Sequence, residues 1–488
     1  MSLSSVLNTA AGGLRAQARA ADVVSGNVAN ALTPGFVRRD LLLEADALGS
    51  GVKISGVART FDPVITAERR LAQADAAQAD TLSAGLQSIE SAIGDPTETG
   101  SLSQLVAQFS ASLIEAESRP DSDLRLQLAV EAAGALTRKL NAVGTAIQET
   151  RTRADTEIAT LVDRVNTAVA QVAELNAQIV KLDAGSRQST PLQEARQQII
   201  DGIADIIPIR EVARSNGTVS LYTGDGATLL DGTPQRIDFT PVGAVQPWMS
   251  FEGGALSGLT LSGLPLEVDG SRSLLGDGQL RAQFDLRDNL GPEAQIAIDA
   301  IARDLVERFQ DPALDPTLSA GPPPDPGLFT DGGGAFDATV PFAEEGLAQR
   351  IALNPAVDRN AGGEVWRLRD GMGAAGPGDP GNAALISALS DRLSQARAPA
   401  SGPEAGKPRA FSGLTANFLS SVAVARQAAD ADAAFHTTQT EAYRQAEAAF
   451  GVDMDDELQK LLLVEQAYAA NARVIQTVDV LLEQLLRL

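Results

Sequence analysis

The last stretch of the chain constrains the fold most. Counting from Leu461 in alternating steps of three and four residues reaches Val464, Tyr468, Asn471, Ile475, Val478, Leu482 and Leu485. All but Asn471 are apolar, so a helix here carries one continuous seam at coiled-coil spacing. Asp453, Asp455 and Asp456 stand where the positive end of the helix dipole falls, and Gly451 is a stop for whatever precedes. Such a helix cannot bury its seam alone. The opposite end of the chain offers a mate: Leu3, Val6 or Leu7, Ala10, Leu14, Gln17, Ala21, Val24, Val28 and Ala31 repeat the spacing, with Gln17 the sole interruption. Many of these are alanine, so the stripe permits close approach but buries little. At about 25 cal/mol per Å² of apolar surface it stabilises weakly in isolation. The expectation is two ends that are loosely ordered apart and helical when packed inside an assembly. An antiparallel helix pair within an ordinary globular core fits the same pattern.

The N-terminal helix runs into Asn27, Asn30, Thr33, Pro34, Gly35 and Phe36. Proline presets its own backbone angle and disfavours helix at the residue before it, and glycine tolerates the turn that follows. Short β-like pieces separated by glycine occupy 41–60. Asp62-Pro63 then reads as the N-cap and first residue of a helix reaching Ile93, with Leu82, Leu86, Ile89 and Ile93 on one face. Ser101 and Gln104 form a capping box for a second helix, stopped by Arg119-Pro120. A far longer helix spans 123–182, its second half apolar at coiled-coil steps, with Gly185 closing it. Thr190-Pro191 starts a shorter one.

From Pro208 the period changes to that of strands. Asn216-Gly217 between two apolar runs predicts a hairpin, and further short strands with glycine turns are expected to about Leu286. A helix is expected over 294–309. Residues 311–334, with Pro322-Pro323-Pro324, read as a linker or exposed loop, and a short helix at 383–393 lies between two more Gly/Pro-rich breaks. Residues 412–450 return to helix, with Leu414, Phe418, Val422, Ala425 and Ala429 aligned.

The chain carries 63 Asp and Glu against 39 Lys and Arg, a formal charge of −24, which argues against a nucleic-acid partner. Cysteine is absent, so neither disulfides nor a thiolate metal site can form. No apolar run approaches the roughly 20 residues of a membrane span, and the opening residues do not form a secretory signal. On these facts alone a cytoplasmic protein is expected. His436 is the one imidazole, so any Ser-His-Asp triad has to use it. Glu344-Glu345 and Asp455-Asp456 are the adjacent carboxylates to weigh for glycoside hydrolysis, but in so acidic a chain they read as solvated faces or helix starts. Trp248 and Trp366 read as core residues of the outer region. No catalytic, cofactor-binding or metal site is expected.

Ala-Asn-x-x-Thr-Pro-Gly-Phe directly after an amphipathic N-terminal helix resembles the N-terminal signature of the bacterial flagellar rod, hook and hook-associated proteins. The C-terminal run from Glu465 to Asp479 resembles the matching end of that family. Ser88-Ile-Glu90, the run from Arg119 to Arg125, Val165-Asn166, the run from Glu174 to Ile179, the run from Leu275 to Arg281 and Leu286-Arg-Asp288 are similar to its hook–filament junction members. Residues 193–204 depart from the Asn-x-Leu-x-Asp-x-Arg-Asp pattern of those members, offering Gln-Glu-Ala-Arg-Gln-Gln-Ile-Ile-Asp.

The resemblance implies a structural protein that is exported without a cleaved signal peptide through the flagellum's own type III channel and resides outside the cell. Its implied partners are further copies of itself in a ring, the hook protein, a second hook-associated junction protein, and a cytoplasmic export chaperone on the C-terminal helix. The expected fold is mainly α with a β-rich insertion, nested in three layers. Residues 1–60 with 451–488 form an inner coiled coil. Residues 61–205 with 410–450 form a long-helix bundle, and 206–409 an outer, mixed but β-rich region. The inner interface is expected to use Leu3, Leu7, Leu14, Val24 and Val28 against the C-terminal seam, with residues 33–36 setting the bend. A hook or rod protein with a helical insertion shares these termini. A flagellum-associated peptidoglycan hydrolase and a cytoplasmic coiled-coil adaptor are the readings from other classes.

Overall fold

A computed structural model describes residues 3–33, 36–45, 51–182, 189–268, 274–319, 321 and 324–486. Gly185, Pro322 and Pro323 lie outside the described residues. The chain begins with helix α1 (Leu3–Asn30) and an antiparallel hairpin of β1 (Arg39–Ala45) and β2 (Val52–Arg59). Helix α2 (Pro63–Ile93) starts where Asp62 accepts the amides of Val64 and Ile65. Helix α3 (Leu102–Ser118) starts on Ser101, whose hydroxyl accepts the Gln104 amide at 3.3 Å. The 59-residue α4 (Asp123–Lys181) and the shorter α5 (Ser189–Asp201) complete the first helical run.

Two small antiparallel sheets follow. Strands β3 (Ile209–Ala213), β4 (Val219–Thr223), β5 (Thr228–Asp231) and β6 (Thr233–Pro234) form one, the first pair joined through Asn216-Gly217. Strands β7 (Ile237–Asp238), β8 (Leu259–Leu261) and β9 (Leu264–Leu266) form the other. Helix α6 (Gln279–Phe284) then runs through a π-turn at Asp285–Leu290 into α7 (Gly291–Phe309). The short α8 (Leu347–Arg350) precedes β11 (Ile351–Leu353), which pairs with β10 (Phe329–Asp331). Helices α9 (Arg367–Asp370) and α10 (Ala384–Ser394) lead to the long α11 (Phe411–Ala448) and the terminal α12 (Met454–Leu486).

Helix α11 returns antiparallel along α2. Arg69 Nε meets Glu447 at 2.7 Å at one end, Ser83 bonds Asp430 further along, and Arg426 bonds Glu90 towards the other. Ala72, Ala76, Ala79, Ala429 and Ala433 are buried between them.

Helix α4 serves two separate cores. Its first half contributes Leu126, Leu136, Leu140 and Ile147 to a core shared with α3, α7, α10 and the start of α11. Phe109, Phe309 and Phe329 meet there edge-on or tilted, with ring centroids 5.1 to 5.9 Å apart. Its second half packs Ile158, Val165 and Val172 against both sheets, the end of α5 and Phe284.

Between the two cores α4 is buried but polar. Arg151 donates to the carbonyls of Arg287 (2.8 Å), Gln246 (3.2 Å) and Met249 (2.7 Å). Burial pulls its guanidinium down to about 10, with neighbouring Arg287 adding to the fall, so it stays charged at neutral pH. Asp155 binds Arg287 at 2.8 Å and accepts the Val242 amide at 2.7 Å. Arg287 is wholly buried; it also binds Asp288 at 2.8 Å and stacks on the rings of Phe239 and Phe284. Every buried charge here has a partner, as burial of ions requires. Gly291 lets α7 cross this site: a Cβ there would lie 2.5 Å from Arg151 Cγ.

Three expectations need correction. The strands and turns expected to about Leu286 give way at Gln279 to helix, which continues through the π-turn to Leu290; the glycines at 276 and 278 end just before it begins. Residues 311–334 are no exposed linker, because Leu314, Leu318, Leu328 and Phe329 are anchored in the first core. Proline and glycine marked an irregular backbone there, not a solvated one. Trp248 is 61% exposed rather than a core residue, while Trp366 is half-buried.

The polar strip continues through Gln148 and Gln295 to Asp299, which also accepts the amides of Gly346 and Ala348, each at 2.8 Å. Burial pushes the Asp299 carboxyl up to about 6 despite these donors, with Glu344 adding to the rise. A folded value above the unfolded one means that its contribution to stability is full below about pH 4 and is lost as pH rises towards 6. Asp299→Asn should therefore flatten the pH dependence of stability between pH 4 and 7 by about 2–3 kcal/mol. Urea unfolding of both chains at the two pH values checks this; an unchanged difference between them would refute it.

Candidate assembly interface

Helices α1 and α12 pair antiparallel, fixed at two points. Asn27 meets Glu457 at one end, and Gly13 lies so close to Asn471 that a Cβ would sit 2.9 Å from its amide. Of the seam residues, Val24 and Val478 are buried, and Leu7, Leu14, Val28, Leu461, Val464, Asn471 and Ile475 are half-buried. Tyr468 and Leu482 stay 47% and 38% exposed. Leu3 and Leu485 lie within the helices, and their side chains fall outside the described residues. Ala10 and Ala16 are the other buried apolar positions of α1. Helix α12 also carries exposed apolar residues outside the seam count: Leu458, Leu462, Leu463, Val474 and Leu481 all face solvent. A single pair of helices thus leaves much of its apolar surface uncovered.

The Asn27 amide closes the layer. Its Nδ2 donates to Glu457 Oε2 and to the Arg39 carbonyl, both at 2.9 Å, and its Oδ1 accepts the Arg39 amide at 3.1 Å. One buried side chain therefore ties α1, the start of β1 and α12 together. Glu457, 1% exposed, takes its other bond from Lys460 at 2.7 Å. Asp453 caps α12 by accepting the amides of Asp455 and Asp456.

In the turn, Thr33 donates its amide to the Asn30 carbonyl at 2.9 Å, and Phe36 donates to the Thr33 carbonyl at 3.1 Å. Asn30 Nδ2 donates to the Gly26 carbonyl at 2.8 Å. Pro34 and Gly35 lie outside the described residues. The Arg39 guanidinium rests over the Phe36 ring and forks onto Glu194 of α5 at 3.1 and 2.6 Å.

Below the hairpin a cluster of ions went unnoticed in the sequence. Arg70 binds Asp201, Glu211 and Gln197, and Arg69 binds Asp201 and Glu447. It joins α2, α5, β3 and α11 at the foot of the long pair. Arginine suits this place because its fork can serve several carboxylates at once.

His436 lies on α11 with Nδ1 3.6 Å from Asp75 and its ring edge-on to Phe435. Burial pushes the Asp75 carboxyl up, and Asp277 adds to the rise. Glu344 is engaged by Arg303 at 2.8 Å rather than paired with a second acid across a cleft. Among the described residues no group of three or more His, Asp or Glu could hold a metal, and no helix is long and apolar enough to cross a membrane.

The two ends of the chain pair into one helical layer, with everything between them as an excursion. Three segments match known families. Residues 86–312 match the flagellar hook-associated protein FlgK helical domain, 446–488 the flagellar basal body rod FlgEFG protein C-terminal, and 7–36 the flagella basal body rod protein. The chain is similar to flagellar hook-associated protein 1 of Bacillus subtilis, 23% identical over 98% of this chain and 97% of that one. It is 26% identical to the Salmonella typhimurium protein of the same name, over 48% of this chain and 44% of that one, and 24% identical to the Escherichia coli protein over the same shares. The match thus spans less than half the length of these two relatives. A solved structure of the flagellar hook junction protein FlgK from Burkholderia pseudomallei overlaps with a TM-score of 0.44 at 18% identity, covering 55% of this chain and 47% of that one. Three separate segments of the chain thus match models of flagellar rod and hook-associated proteins, and proteins named flagellar hook-associated protein 1 are similar to it.

Asn27→Ala should leave the Arg39 amide unpaired and deprive buried Glu457 of a donor, a loss of about 2–4 kcal/mol local to the terminal layer. Hydrogen exchange is expected to quicken in α1 and α12 and stay slow in α3 and α4. Equal protection in both chains would show that the amide is dispensable.

Proposed function

We propose that this chain is the ring subunit that joins hook to filament. The observation that carries the reading is the clasped terminal pair, whose α12 leaves Leu458, Leu462, Leu463, Val474 and Leu481 bare in a single chain. Neighbouring copies would cover these residues, since about 25 cal/mol is gained per Å² removed from water. On this reading the partners are further copies in a ring, the hook protein below and a second hook-associated protein above. Residues 1–60 with 451–488 make the inner layer, 61–205 with 410–450 the next, and 206–409 the outermost. The chain reaches its place outside the cell through the type III channel, without a cleaved signal peptide. A cytoplasmic chaperone covers the C-terminal helix beforehand.

Electron microscopy of cells lacking the chain tests the position. Complete hooks without filaments, with flagellin lost to the medium, are expected. Missing hooks would move the protein down to the hook or rod, and normal filaments would overturn an axial role.

Ile475→Asp or Leu482→Asp should prevent incorporation into flagella by placing an unpaired charge in the inner contact. The α4 cores should keep their melting transition. A variant that is secreted, folded and still found in flagella at wild-type amounts would refute the seam.

A further inference from the structure

Residues 239–257 form an irregular loop between β7 and β8 whose backbone is held from beneath by side chains of α4 and the π-turn. Arg151 grips the carbonyls of Gln246 and Met249, on either side of Trp248. Thr152 accepts the Val245 amide at 3.0 Å, Asp155 accepts that of Val242, and Arg287 donates to the Ser257 carbonyl at 2.8 Å. Arg151, Asp155 and Arg287 are each no more than 1% exposed. Val245 and Leu256 are buried beneath the loop, yet three of its apolar groups face outward: Trp248 is 61% exposed, Phe251 55% and Val242 38%. Stability alone does not call for this arrangement, because buried ion networks are often replaced by apolar packing at no loss. Its product is a fixed backbone presenting an indole to solvent. Rigid, outward-facing tryptophan is the residue type that dominates protein contacts.

The charge pattern selects the occupant. The chain carries −24 overall, but between Phe239 and Ser257 the one charged residue is Glu252. Two copies of so acidic a protein repel wherever carboxylates face each other, and like charges brought together are costly. This loop is a place where two copies can touch without that repulsion. A basic partner, by contrast, would be drawn to the acidic surface elsewhere.

We propose that this loop is a lateral contact between neighbouring copies of the chain, with Trp248 as its anchor; this rests on the ring reading above. The full chain carrying a photo-crosslinking phenylalanine at position 248 tests it, expressed in cells lacking the native chain. Light should give, in isolated flagella, an adduct of twice the chain's mass that reacts only with antibody to this chain. An adduct to a different protein, or none although the chain is incorporated, would overturn the contact and leave the junction reading intact. If the unmodified chain is also absent from flagella, the junction reading fails and the contact falls with it. Trp248→Ala gives an independent readout. It should be incorporated with an unchanged melting transition while filaments are lost several-fold faster under shear. Unchanged shear resistance would count against the contact.

Discussion

The antiparallel pairing of α2 with α11 is the constraint on which the rest depends. The chain leaves the terminal layer along one helix and comes back along the other, so the two ends arrive together. The buried alanines Ala72, Ala76, Ala79, Ala429 and Ala433 let the helices approach closely at little side-chain entropy cost. They contribute little apolar area, and register falls to the polar flank of Arg69 with Glu447, Ser83 with Asp430 and Arg426 with Glu90. Once that register is set, Asn27 can reach Glu457, although 430 residues separate them in sequence.

Polar groups are buried where elements of different kind must join. The Arg69–Arg70 cluster sits where hairpin, long pair and α5 converge, and the Arg151–Asp155–Arg287 group sits where α4 passes from one apolar core to the other. Hydrophobic contact tolerates sliding, whereas a forked guanidinium does not. These groups fix position more than they add stability.

The helices were legible in the sequence because their ends carry their own chemistry. Asp62-Pro63, Ser101 and Arg119-Pro120 each set a boundary that the structure reproduces, and Asn216-Gly217 marks the first hairpin. What escaped were features set by distant partners. The residues up to about Leu286 look like strands and turns, yet 279–290 are helical and Arg287 on the π-turn bonds Asp155; the prolines of 311–334 conceal the leucines that anchor that segment. The motif at 27–36 could be recognised, but what Asn27 does there could not, since both groups that fix it become neighbours only in the folded chain. The bare apolar residues of α12 were missed because one seam had already accounted for the helix.

Helices α2 and α11 are tethers arranged side by side, not end to end. Both leave the Arg69–Glu447 end, and both finish in the first core, through Ile89 and Ile93 on one and Phe411, Leu414 and Phe418 on the other. A pull on the terminal layer is therefore divided between two helices, and neither can stretch unless the other does. The force then enters a single packed core at two points and never runs through one unsupported segment. Mechanically the helix pair is a doubled strut between the paired ends and the core that holds Phe109, Phe309 and Phe329.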